Sequence, residues 1–248
     1  MEGSATTVKR MVHLAFIWCG PAFAVLFGAG FGILAGFLPL PAPSATAEQI
    51  AALYRDNTTG IRIGISFVQI GSALLIPWGI VIAVQTWRIK GVPLALPLIQ
   101  ISCAVVNAML GITGSAAWLI AAFRPDELAA GTIRAFNDLG YLLFVMPWTA
   151  LTCWFVAIGL SMLIDSAEKP TFPRWVGYVA LWAAFMVIPA TLIIFFKTGP
   201  FAWNGLLGFY VPAFSFFVCF LTTSIYSIKA INRESSEDSA PVRMDAER

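Results

Sequence analysis

The side chains able to bind or react gather in two short polar stretches between long apolar runs, with one cation further along. They are Glu48, Arg55, Asp56, Arg62, Arg124, Asp126, Glu127, Arg134, Asp138 and Lys197. Acids and bases are equal in number, so they can neutralise one another in a salt-bridged lid. A sharper reading has some of them converge over a vestibule. Arg62 and Asp138 are the best choices, because each is expected in the first turn of an apolar span, beside Asn57 or Asn137. A carboxylate suits a helix N-terminus, so Asp138 can simply cap its span. An arginine there is electrostatically disfavoured and must find an acid, such as Asp56 or Asp138, or an anionic ligand. Trp78 and Trp148 each follow a proline deep in a span, where they either pack or line a cavity. The candidate ligand-binding set is therefore Arg62, Asp138, Asn137, Asn57, Trp78 and Trp148. No catalytic residue, metal ligand or cofactor is assigned.

Other chemistry is narrowed by what the chain lacks. His13 is the only histidine, which excludes a histidine-rich metal site or a histidine triad within this chain. Cys19, Cys103, Cys153 and Cys219 lie far apart in apolar sequence with no CxxC pair, and read as small core residues. Within the spans the polar groups are Gln69, Gln85, Gln100, Asn107 and hydroxyls. An amide does not titrate, which argues against a pump with a coupling acid at mid-membrane. No GxGxxG or P-loop pattern appears.

The elements that must position these groups are apolar. Of 248 residues 59% are hydrophobic and 11% charged, against about 25% charged in soluble domains. So much apolar surface cannot all be turned inward, and lipid is the solvent that accommodates it. About 20 apolar residues in a helix cross the roughly 30 Å of hydrocarbon. Six stretches qualify: 12–39, 61–86, 93–123, 139–164, 175–196 and 203–228. Their continuous rather than alternating apolarity predicts an all-α transmembrane bundle, not a barrel. The first run is too long for a cleaved signal peptide and reads as an uncleaved anchor.

Basic residues set the orientation. With the N-terminus inside, cytoplasmic segments hold Lys9, Arg10, Arg88, Lys90, Lys169, Arg174, Lys229, Arg233, Arg243 and Arg248, and the other side holds five. This predicts both termini in the cytoplasm, with 1–11 a short cytoplasmic start and 229–248 a disordered charged tail. The two longer outer loops each place a glutamate seven residues before an arginine: Glu48 to Arg55, and Glu127 to Arg134. That spacing predicts short amphipathic helices at about 45–57 and 125–136, with Ser44 and Pro125 as start signals.

Prolines at Pro77, Pro147 and Pro212 in the even-numbered spans, together with the similar outer loops, suggest three hairpins of similar design. Gly28, Gly32 and Gly36 make a small-residue stripe suited to close helix packing. Trp18, Trp87, Trp118, Trp175 and Trp203 fall near span ends, as interfacial tryptophans do.

The small net charge argues against nucleic acid as a partner. The expected partners are the bilayer, an apolar small molecule, and either further copies of the chain or a larger membrane complex. The chain's style fits a bacterial inner membrane. Three functions remain: binding or transport of an apolar or amphipathic small molecule, ranked first; an accessory subunit; and an enzyme on a lipid or terpenoid-like substrate using Asp138 or Glu127 as acid.

Overall fold

A computed structural model describes residues 2–238, with side chains described for 7–234. It is all-helical among those residues and has six helical segments long and apolar enough to cross a membrane: Thr7–Leu34, Thr58–Trp87, Ala95–Phe123, Ala130–Ile164, Arg174–Ile194 and Leu206–Glu234. Large apolar side chains point outward along them, among them Ile33, Val25, Phe185 and Phe214, exposed by 65% or more. A belt of that kind is tolerable in lipid and not in water.

Prolines decide where these segments break. The helices are α1 (Glu2–Ile17), α2 (Cys19–Phe27), α3 (Ala47–Asp56), α4 (Thr58–Ala73), α5 (Leu75–Trp87), α6 (Ala95–Phe123), α7 (Ala130–Val145), α8 (Trp148–Ile164), α9 (Arg174–Met186) and α10 (Val211–Asp238). A proline cannot donate to the carbonyl four residues earlier, and its ring crowds that turn. Pro21 accordingly follows the α1–α2 joint at Trp18, and Pro77 follows the α4–α5 joint at Leu74. Pro147 separates α7 from α8. At Pro189 the fifth span tightens from α9 into a 3-10 helix, Ile188–Ile194, and Pro212 follows a π-helical turn, Leu206–Tyr210, that leads into α10. Only α6 runs unbroken for 29 residues, because its Pro97 sits in the first turn, where no internal donor is lost.

The fourth span starts at Ala130, nine residues before the expected 139. No separate amphipathic helix precedes it. Arg124, Pro125, Asp126, Glu127 and Leu128 form a tight turn in which the Glu127 and Leu128 N–H groups donate to the Arg124 carbonyl, and Ala129 is extended. Glu127 thus lies off the helix that carries Arg134 and pairs with Arg124 at 3.6 Å instead. The segment expected at about 45–57 does form a helix, α3, capped by Thr46 rather than Ser44. The Gln49 N–H donates to Thr46 Oγ1 (3.3 Å) and the Thr46 N–H to Gln49 Oε1 (2.9 Å), a reciprocal capping box.

The small-residue contact is shifted from the expected stripe. Gly28 faces open space, and Gly30 instead packs directly on Gly64 of α4, backbone against backbone. The cause is a π-helical stretch, Gly28–Leu34, whose wider turn breaks the four-residue register. Gly36 (φ +66°) ends it, and Asn57 Nδ2 donates to the freed Leu34 and Ala35 carbonyls at 3.0 and 3.2 Å. Gly159 of α8 and Gly177 of α9 make a second crossing of the same kind.

The start of α1 and the end of α10 meet at one end of the bundle, called here the terminal end. α10 continues ten residues past the expected end of the last span, so 229–238 is helical rather than disordered; residues 239–248 lie outside the described part. Glu234 holds this extension. It is buried, bonds Lys9 Nζ at 2.5 Å, and also pairs with Arg88 at the end of α5. The 165–174 link at the same end is folded around Asp165, whose carboxylate accepts from the Ala167 and Thr171 N–H groups (3.1 and 2.8 Å).

Candidate functional site

The described structure holds a cavity of about 130 Å³ to which all six spans contribute. Its walls are Phe23 and Phe27 from α2, Ser72 and Leu75 across the α4–α5 joint, Asn107, Leu110 and Gly111 from α6, and Phe144, Val145, Pro147, Trp148 and Leu151 around the α7–α8 break. Val187 and Ala190 line it from the fifth span, with Phe209, Pro212, Ala213, Phe216 and Phe217 from the sixth. In spans two, three and four these positions fall at the middle of the segment, so the cavity lies at mid-depth. It also coincides with the helix interruptions. Non-regular backbone at membrane depth is stable only inside protein or beside a cavity, which gives the prolines and the cavity one common explanation.

Aromatic clusters flank the space above and below. Toward the end opposite the termini, Phe27 and Phe144 stack at 5.5 Å and pass into Phe31, Trp118, Tyr141 and Trp203. Toward the terminal end, Phe23 and Phe216 lead to Phe220, which stacks on Trp78 at 4.1 Å, and Trp78 meets Trp154 edge-on. Trp78 is locked there by its indole N–H, which donates to Ser224 Oγ at 2.8 Å. Trp118 and Trp203 are buried parts of the upper cluster rather than interfacial residues, donating to the Asn137 and Pro41 carbonyls (3.2 and 2.9 Å), whereas Trp18, Trp87 and Trp175 are exposed.

Of the residues predicted from sequence, Trp148 alone lines the cavity. Trp78 lies in the floor beneath it. Arg62 reaches across to α6, where Nε and Nη2 donate to the Ala122 and Phe123 carbonyls at 2.9 and 2.7 Å. Its electrostatic puzzle is thereby resolved: the cation is in the second turn of its own helix and caps the negative C-terminus of a neighbour. Asn137 is buried and accepts from the Tyr54 hydroxyl at 3.2 Å, while its Nδ2 donates to Asp138 Oδ1 at 3.2 Å. Asp138 therefore sits within α7 and caps no helix start. Burial, reinforced by the nearby Asp138 carboxylate, pushes the Tyr54 phenol well above its usual pKa, so it remains a donor to Asn137. Asn57 caps the π-helical stretch described above. These four polar residues join α3, α4, α6 and α7 at the end opposite the termini. Arg62→Ala is expected to cost about 1 kcal/mol in unfolding free energy and to leave small-molecule binding unchanged. Lost binding at unchanged stability would return Arg62 to the site.

The cavity's electrostatics are simple. None of its lining side chains titrates. Ser72 Oγ donates to the Val68 carbonyl and Asn107 Nδ2 to the Cys103 carbonyl, both at 2.8 Å. Sequence reasoning noticed Asn107 only as an interhelical amide. The available signal was the placement of prolines: Pro21 and Pro189 join Pro77, Pro147 and Pro212, so five apolar runs carry a break. The chain matches no protein-family model, no curated protein and no solved structure. What this fold and site define is a multi-pass helical membrane protein, and its function must be read from its own geometry.

Proposed function

We propose that the protein binds a small apolar or amphipathic molecule in the mid-depth cavity, as a binding protein or carrier of the membrane in which it sits. The single observation that supports this reading is the cavity itself, walled by aromatics and bounded by helix breaks. A cavity of about 150 Å³ lined by apolar side chains accepts benzene in a soluble protein. The volume here is close to that, so the occupant is a single ring or a short branched chain, or one such segment of a longer lipid. An acid-catalysing enzyme is less well supported, because neither Asp138 nor Glu127 lines the space.

The test is to fill the space. In the purified full-length protein, Ala213→Phe is expected to keep the fold and abolish stabilisation by a benzene-sized probe such as toluene. At 100 times its dissociation constant a ligand adds about 2.7 kcal/mol to native stability. Equal stabilisation of the wild type and the filled variant would place binding elsewhere and sink the reading.

The proposed orientation puts the termini in the cytoplasm. Gly131 is exposed, with open space around it. A Gly131→Cys protein should therefore react with a membrane-impermeant maleimide from the outside of intact cells. Labelling only after the inner face is opened would reverse the topology.

A further inference from the structure

The proposed cavity ligand can be narrowed by the polar groups left unused around it. The cavity has no charge to offer, so a charged occupant would be buried uncompensated at mid-membrane, and only a neutral one fits. Asn107 is the one amide in the wall. Its orientation is fixed by chemistry, since only the amide nitrogen can donate to the Cys103 carbonyl. Oδ1 is thereby left without a hydrogen bond among the described residues, as is the second N–H. A hydroxyl answers both needs, because it donates to an amide oxygen and accepts from an N–H at once.

We infer that the ligand is a small neutral alcohol or phenol, its apolar body against Phe27, Phe144 and Phe216 and its hydroxyl on the Asn107 amide. This rests on the cavity being the binding site, and the experiment separates the two. Phenol, anisole and toluene are titrated against the full-length protein in one detergent, with unfolding temperature as readout, for wild type and Asn107→Leu. Comparing variants within each probe cancels differences in partition into the detergent. Phenol should lose about tenfold in apparent affinity on substitution, the size of one buried hydrogen bond. Toluene, and anisole with its methylated oxygen, should change less than about threefold. Retained toluene binding also reports that the variant is folded, and Asn107→Ala carries the same comparison should Asn107→Leu fail to fold. Equal behaviour of phenol and toluene across the variants would overturn the hydroxyl assignment while leaving the cavity as an apolar site. A wild type that responds to none of the three would overturn the cavity reading and this inference with it.

Discussion

Gly64→Val should cost about 3 kcal/mol, at the upper end of what overpacking does in a well-filled interior. A Cβ on Gly64 would run into the Gly30 carbonyl oxygen and stand 2.7 Å from the Ala35 nitrogen and 3.0 Å from the Leu34 Cβ. Two of these are backbone atoms, so no rotamer change relieves them and the two segments must part. The informative comparison is Gly28→Val, two residues from the contact, where an added Cβ meets nothing within 4 Å. That substitution should change stability by less than about 0.5 kcal/mol. Thermal unfolding of the three purified proteins decides the matter. A costly Gly28 variant beside a neutral Gly64 variant would mean that the first span keeps an ordinary α-helical register through 28–34.

Glu234→Ala should cost about 2 kcal/mol. The carboxylate is buried while Lys9 and Arg88 are half-exposed, and removing it leaves two cations facing one another at the junction of α1, α5 and α10. Arg88 also donates to Gln85 Oε1 at 3.0 Å, and Gln85 in turn meets His13 Nδ1 at 3.3 Å, so the loss spreads through a connected set. Glu234→Gln keeps the shape and should recover part of the stability. Ending the chain after residue 228 should be at least as damaging as the alanine substitution. Denaturant unfolding measures all three, and a truncated chain as stable as the full one would show that the α10 extension contributes nothing to the fold.

The bundle was legible in the sequence because apolar length in lipid is a strong physical signal: a run long enough to cross must do so as a helix. Boundaries were less legible where polar residues continue a helix beyond the apolar core. Glu234 looked like part of a solvated tail, since nothing local shows that Lys9 and Arg88 lie beside it. Asp138 and Arg62 looked like residues at helix starts, because the apolar count begins later than the hydrogen-bonded helix does. The cavity was the least legible part. Its wall is ordinary phenylalanine, leucine and alanine, and only tertiary packing distinguishes those that line a space from those that fill one. Trp148 was found because it follows a proline, and that same reasoning applied to Pro21 and Pro189 would have put the breaks at a common depth.

The unbroken course of α6 sets it apart from the other spans. Five crossings carry a proline joint or a change of helical pitch, and α6 stands among them like a mast through a stack of two slabs. Each slab is stiffened separately, one by the Glu234 network and the other by Tyr54, Asn57, Arg62 and Asn137. Among the described helices α6 alone passes the level of the cavity without a change of pitch or a joint.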